Sequence, residues 1–367
     1  MDKAKTLATT EASFATAIPA LEEYIRIPNQ SPGFDDDIHT NGLQEKAVAV
    51  ILQWVLQQKV EGLTHRVVQE PGRTPVILFE VPAHNCRLPE GVLMYGHMDK
   101  QPPMTESWTQ GLHPYVPVIR KGRLYGRGGA DDGYSAFAAI TAVKTLQEQG
   151  AAHPRIVILI EGAEESGSPD LEYYLAQLEG AIGSVGLIVC LDSGCSNYEQ
   201  LWVTTSLRGI VAATVRVDVL QHGVHSGAAS GIVPSSFRCM RALLDQLEET
   251  TTGRVLVPEL HVPIPPYRVD EARRCAAILG PDVFSEFPWV PGVKPVTAEA
   301  HEALLNKTWR PTMCVVGADG ACCLCPLCVA SQGKNSRRHS VAREFRQRAA
   351  GPDDAQAVLS AAAHVRL

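Results

Sequence analysis

No stretch of the 367 residues is apolar for long enough to cross a bilayer as a helix. The chain also lacks a positively charged start leading into an apolar core, so it carries no recognisable secretory signal. Positive charge is not in excess either. The formal net charge is −7, which argues against a general nucleic-acid binder. No internal repeat is visible. These absences leave a cytoplasmic protein, with neither nucleic acid nor membrane among its partners, as the expectation.

What is present is ordinary in amount and uneven in place. The length allows two domains, and a hydrophobic fraction of 45% suits a soluble globular fold. Of the ten cysteines, Cys86, Cys190, Cys195, Cys239, Cys275 and Cys314 are scattered, as reduced thiols of a cytoplasmic chain would be. Cys322, Cys323, Cys325 and Cys328 crowd together near the end.

Residues Glu11 to Tyr24 read as an amphipathic helix open to interruption at Pro19, and Leu43 to Gln58 as a second helix. Thr64 to Gln69 and Pro75 to Val81 read as strands. Three short apolar runs then read as buried strands: Gly91 to Tyr95, Arg155 to Ile160 and Gly186 to Leu191. A helix over Tyr134 to Gln149 precedes the second of them. This alternation predicts an α/β fold, with a mostly parallel sheet flanked by helices.

Each apolar run delivers polar residues just past its carboxyl end, where open α/β sheets build their sites. The first ends in Gly96-His97-Met98-Asp99, the second in Glu161-Gly162-Ala163-Glu164-Glu165, and the third in Asp192. Between the first two lies L-Y-G-R-G-G-A-D-D-G-Y, Leu124 to Tyr134, with Asp131 and Asp132 adjacent among glycines. Such a pair can be an ordinary acidic turn. Four such places rich in His, Asp and Glu are harder to explain as helix caps, and point instead to metal. Histidine with carboxylates is the donor set of an open zinc site. A carboxylate shared by two metals suits a two-metal hydrolase, with Asp131 as the shared group. Of the Glu164–Glu165 pair, one acid can bind metal while the other serves as general base. Asp99 is placed to orient His97.

After Leu201 the texture changes. Leu207 to Val219 alternates as a strand would, and Gly223-Val224-His225-Ser226-Gly227 is a small-residue loop carrying a histidine. Ile232 to Leu247, Asp270 to Leu279 and Thr297 to Leu305 read as helices. Val255 to Pro265 and Met313 to Val316 read as strand-like. Residues 205–320 are therefore expected to form a second, α+β domain after a first domain over 1–204.

Together G-H-M-D, G-R-G-G-A-D-D-G, E-E-S-G-S and the aspartate after the third strand resemble the zinc exopeptidase family of aminoacylases, acetylornithine deacetylases, glutamate carboxypeptidases and carnosine-type dipeptidases. The likeness runs over roughly residues 15–320, and G-H-M-D-K-Q-P and E-E-S-G-S-P-D-L look most like the dipeptidase branch. The resemblance implies two zinc ions, with manganese or cobalt as substitutes. His97 and Asp192 would hold one, Glu165 the other, and Asp131 would bridge them. Glu164 would be the general base and Asp99 the support for His97. It also implies a cis peptide between Asp131 and Asp132. The second domain would be an inserted lid through which the chain forms a homodimer. His225 would reach the partner subunit's site to stabilise the oxyanion. The implied substrate is a dipeptide or the end of a short peptide. An N-acyl amino acid deacylase, and a non-catalytic protein on the same scaffold, stay open as alternatives.

The pattern stops after Gly320. Residues 321–367 carry seven Lys or Arg against three acids, the cysteine cluster, and no clear sheet-forming run. The expectation is out-of-frame translation or a sequencing error, testable in the other two frames of the coding DNA. A cysteine-held zinc or iron–sulfur site is the rival reading. The family's further C-terminal zinc histidine has no recognisable counterpart, since neither His339 nor His364 lies in a motif. Weak or absent activity and a tendency to aggregate follow as expectations for this chain.

Overall fold

The computed structural model describes residues 1–204 and 207–318, and the backbone of 342–347. The chain divides into two compact units, Met1–Gly194 and a second that begins at Cys195, against an expected boundary after residue 204.

The first unit runs α1 (Lys3–Ile25), α2 (Leu43–Gln57), β1 (Thr64–Val68), β2 (Val76–Val81), β3 (Gly91–His97), β4 (Val118–Arg120), β5 (Arg123–Tyr125), α3 (Ser135–Glu148), β6 (Ile156–Glu161), α4 (Leu171–Ile182) and β7 (Val185–Cys190). Its main sheet has the order β1-β2-β6-β3-β7. β6, β3 and β7 are parallel, and β2 runs antiparallel to both β6 and β1. Four strands therefore share one direction and β2 alone is reversed. β4 and β5 form a separate hairpin.

The middle of the sheet is covered on both faces, and β6 shows why its sequence is apolar throughout; β7, expected to be a buried strand, is instead mostly exposed at the sheet's edge. Ile156, Ile158 and Ile160 pack with Leu21, Tyr24 and Ile25 of α1, Ile51 and Trp54 of α2, and Phe137 and Ile140 of α3. Val157 and Leu159 face the other way, onto Tyr174, Leu178 and Ile182 of α4. Successive strand residues serve opposite layers, so no position is left for a polar side chain. Each buried Ile or Leu contributes roughly 1.5–3 kcal/mol of transfer free energy. α1 passes through Pro19 without a break, although an interior proline usually kinks a helix. Burial of Ala17, Leu21, Tyr24 and Ile25 on either side of it offsets the lost backbone hydrogen bond.

The second unit holds β8 (Gly209–Thr214), α5 (Ser226–Ala229), α6 (Ser236–Leu244), the short pair β9 (Glu248–Glu249) and β10 (Arg254–Val255), α7 (Pro266–Leu279), α8 (Asp282–Ser285), α9 (Ala300–Thr308), β11 (Met313–Val315) and β12 (Ala342–Gln347). Ala272, Leu305 and Trp309 form its buried cluster. β12 lies between β11 and β8, antiparallel to both. A stretch read as lacking a sheet-forming run thus contains a strand, because ladder bonds are made by the backbone whatever the side chains. No described helix is long and apolar enough to cross a membrane.

Candidate metal centre

His97 closes β3 and is fully buried. The residue before it must be glycine: a Cβ at Gly96 would lie 2.2 Å from Ser135 Oγ and 2.6 Å from Asp132 Oδ2. That close approach lets the His97 amide donate to Asp132 Oδ2 at 3.1 Å. The two ring nitrogens face different acids. Nδ1 lies 3.3 Å from Asp99 Oδ1. Nε2 lies 3.2 Å from Asp131 Oδ1, and 3.9 Å from both Glu164 Oε2 and Asp192 Oδ2.

Asp131 and Asp132 are joined by a cis peptide. Their loop packs tightly against two neighbours. A Cβ at Gly128, where φ is +78°, would meet the Lys100 stem at 2.5 Å, and one at Gly133 would meet the Tyr24 ring at 2.2 Å. Asp132 is fully buried while Asp131 faces outward. Glu164 and Glu165 sit on a single 3₁₀ turn directly after β6. Their backbone N–H groups donate to Asp99 Oδ1 at 3.1 Å and Oδ2 at 3.0 Å. Asp99 therefore ties the imidazole to the turn bearing the two glutamates. Asp192 follows β7, where the Leu191 amide donates to the Tyr95 carbonyl at 3.1 Å.

Ligand atoms of two groups, His97–Glu164–Asp192 and His97–Asp131–Glu165, lie within 4.8 Å of one another. All five residues thus converge within the first unit, from three strand ends and one loop. His225 is outside these groups. It belongs to the second unit, caps α5, and accepts the Gly227 amide through Nδ1 at 3.2 Å. His339, His364, the cysteine cluster and the frame reading of 321–367 lie outside the described residues.

Several of the acids around His97 resist ionisation. Burial pushes Asp132 and Glu164 up to about 7, and raises Asp192 and Glu165 as well. Burial also disfavours the imidazolium, but the hydrogen bonds to Asp131 and Asp99 overcome it and hold His97 at about 11. Asp131 is held below its usual range by the His97 hydrogen bond, assisted by the charges of His97 and Arg127. Asp132 Oδ1 is buried without a partner. Clustered carboxylates around one nitrogen, with an orphaned oxygen among them, fit a divalent cation.

Several participants carry no signal in the sequence patterns. Glu161, at the end of β6, accepts from Tyr95 Oη and Ser168 Oγ and shapes the turn that follows. Gln101 donates to Glu165 Oε2. A lone polar residue ending an apolar strand is the only hint of Glu161, and nothing in the spacing marks Gln101.

The fold and this centre define a metal-site α/β protein of the peptidase type. The profile of Peptidase family M20/M25/M40 matches residues 93–323, and the chain belongs to that family. It is 30% identical over 252 residues to the Beta-Ala-His dipeptidase of Rattus norvegicus, a match covering 67% of this chain and 50% of the relative. It is 30% identical over 155 residues to the Cysteinylglycine-S-conjugate dipeptidase of Corynebacterium striatum, covering 42% of this chain and 34% of that one. The crystal structure of human carnosine dipeptidase 1 is similar in fold, with a TM-score of 0.65 at 22% identity, over 98% of this chain and 75% of that one. The chain spans about half the length, or less, of the curated relatives it matches.

Proposed function

We propose that the chain is a metallopeptidase that hydrolyses dipeptides, using two zinc ions and Glu164 as general base. The observation that carries the reading is the convergence of His97, Asp131, Glu164, Glu165 and Asp192 within ligand reach. One imidazole with several carboxylates is a donor set zinc accepts while leaving room for water. His97 and Asp192 would hold one ion, Glu165 the other, and Asp131 would be shared. Bound zinc supplies Lewis acidity, easing loss of a proton from water and polarising a carbonyl.

Glu164 takes the proton of the attacking water at a carboxylate oxygen and returns it to the leaving amine. Burial pushes its pKa to about 7, which suits a group that must accept and release a proton near neutral pH. Asp99 fixes the imidazole and the glutamate turn together, so the base and the ligands keep one geometry. A second copy of the chain would bring His225 to the oxyanion, which makes the active form a homodimer.

The test is turnover of a dipeptide panel, β-alanyl-histidine included, beside N-acetyl amino acids, with the chain metal-free and then supplied with zinc or manganese. Weak metal-dependent dipeptide hydrolysis is expected of this chain, and Glu164→Gln should lower it by a further factor on the order of 10²–10⁴ while metal still binds. Metal binding without dipeptide turnover overturns the reading, and preference for the acetylated compounds replaces it with deacylation.

A further inference from the structure

Two histidines face each other at the end of the sheet opposite the metal centre. β2 runs antiparallel to β6, and Val81 at the end of β2 pairs with Ile156 at the start of β6. Past those ends the two segments stay paired at His84 and His153. The His84 amide donates to the His153 carbonyl and the His153 amide to the His84 carbonyl, both at 2.9 Å. Residues bonded to each other in this way on antiparallel segments present their side chains on one face. The two rings accordingly stand 6.0 Å apart, centre to centre, with planes inclined by 26°. Glu164 and Glu165 lie beyond the other end of β6. The six residues of that strand therefore hold the histidine pair about 20 Å from the metal centre.

The ring nitrogens are unevenly satisfied. His153 Nδ1 lies 2.9 Å from the Pro154 carbonyl, which can only accept, so this nitrogen carries the proton. The lone pair of the neutral ring is then on Nε2. His153 is 4% exposed, and its Nε2 is buried with no hydrogen-bond partner. A buried acceptor that meets no donor is unfavourable, so this lone pair calls for a ligand. His84 is exposed, and its Nε2 accepts from the Asn85 side-chain amide at 2.9 Å. That nitrogen therefore offers a lone pair as well.

Neutral imidazoles with available lone pairs are ligands for zinc and its neighbours among the transition metals, whereas magnesium and calcium prefer oxygen. The spacing suits one shared ion. Zinc–nitrogen bonds of about 2.0–2.1 Å, with about 1.1 Å from nitrogen to ring centre, place two imidazoles on a tetrahedral ion about 5 Å apart. From the observed 6.0 Å, each ring has to move by only about half an ångström. The exposed His84 ring can turn from Asn85 towards the ion, and the ion can enter from solvent. The paired backbone keeps the second ring beside the first. Water takes the positions that two imidazoles leave open.

We propose that His84 and His153 form a two-imidazole site for a divalent cation of the zinc type, separate from the candidate metal centre. The ion clips the loop after β2 to the segment before β6. The site is independent of the peptidase reading, because neither histidine belongs to that centre. The test treats the full chain with diethyl pyrocarbonate and reads the acylation of each histidine by peptide mass spectrometry. His84 should be acylated in the metal-free chain, protected by zinc, and left unprotected by magnesium. This comparison on the unaltered chain needs no variant to fold. His153→Phe, which keeps the bulk of the ring, should abolish the protection. Equilibrium dialysis supplies a second measurement, in which His84→Ala should hold one zinc ion fewer than the unaltered chain. Acylation of His84 that zinc does not slow, protection that persists in folded His153→Phe, or equal zinc counts with and without His84 overturns the proposal.

Discussion

β6 and β7 are close to interchangeable as text, I-V-I-L-I against G-L-I-V-C. Both are parallel to β3 and both hand carboxylates to the centre. Their surroundings differ completely. Every residue of β6 is buried between β2 and β3. β7 is the last strand in the sheet order, and Leu187 and Ile188 are 56% and 63% exposed. An apolar run therefore encodes the capacity to be buried, and neighbouring elements decide whether it is. β7 also lacks the charges and prolines by which edge strands usually resist pairing with other chains.

The comparison is broken most directly by truncating each strand. Ile158→Ala removes side-chain volume between β6 and the α1–α3 layer and should lower unfolding free energy by about 2–5 kcal/mol. The measurement is urea unfolding followed by far-ultraviolet circular dichroism. A loss under about 1 kcal/mol would mean that β6 is not the closed core strand described.

The carboxylates gathered around His97 supply a second and smaller effect. Asp132 and Glu164, with pKa values of about 7, keep protons in the folded state that the unfolded chain, with carboxylate values near 4, has released. Between about pH 4 and 7 the metal-free folded chain therefore binds more protons, and its stability falls as pH rises through that window. His97 at about 11 adds in the same direction above about pH 6.5. Raising the pH of the metal-free protein from 5 to 7.5 should cost about 1–3 kcal/mol, after allowance for the partial exposure of Glu164. Zinc should reverse this and release protons on binding, seen as a dependence of the calorimetric heat on the buffer's ionisation enthalpy. A metal-free chain that gains stability with pH across this window contradicts the description of the centre.

The parts legible in the sequence are those where one local rule decides. β2, β3 and β6 are apolar because they are covered on both faces; the ends of β3, β6 and β7 deliver His97, Glu164, Glu165 and Asp192 to one place, and the glycine loop adds Asp131. α4 is missing from the sequence reading although Tyr174, Leu178 and Ile182 are spaced as one helical face, because Glu172, Glu179 and Gly180 dilute its apolar character. The β4–β5 hairpin turns at Lys121 and Gly122, both at positive φ, in three-residue strands too short to show alternation. In the second unit the strand expected over 207–219 spans only Gly209–Thr214, whereas the helix expected over 270–279 begins earlier, at Pro266. The helix expected over 232–247 spans only Ser236–Leu244, because the Ser235 hydroxyl accepts the Arg238 amide and starts it there. Few residues of that unit are buried, so little packing extends the elements beyond their local signals. Glu161 escapes notice for another reason: its significance lies in partly buried partners, Tyr95 and Ser168, which only three dimensions reveal.

The smallest expected effect is the sharpest probe of β7. Ile188→Lys places a charge on a residue that is 63% exposed. If β7 stands at a free edge in solution, the substitution should change unfolding free energy by no more than about 0.5 kcal/mol, as surface changes usually do. It should also leave zinc affinity unchanged, because the Asp192 carboxylate is set by the backbone pairing of β7 with β3 and not by the Ile188 side chain. Self-association measured by light scattering should fall, since an inserted lysine discourages edge-to-edge pairing. A destabilisation approaching that of Ile158→Ala would carry the opposite message. It would mean that something covers β7 in solution as fully as β2, β3 and the helices cover β6, and the difference between the two strands would vanish.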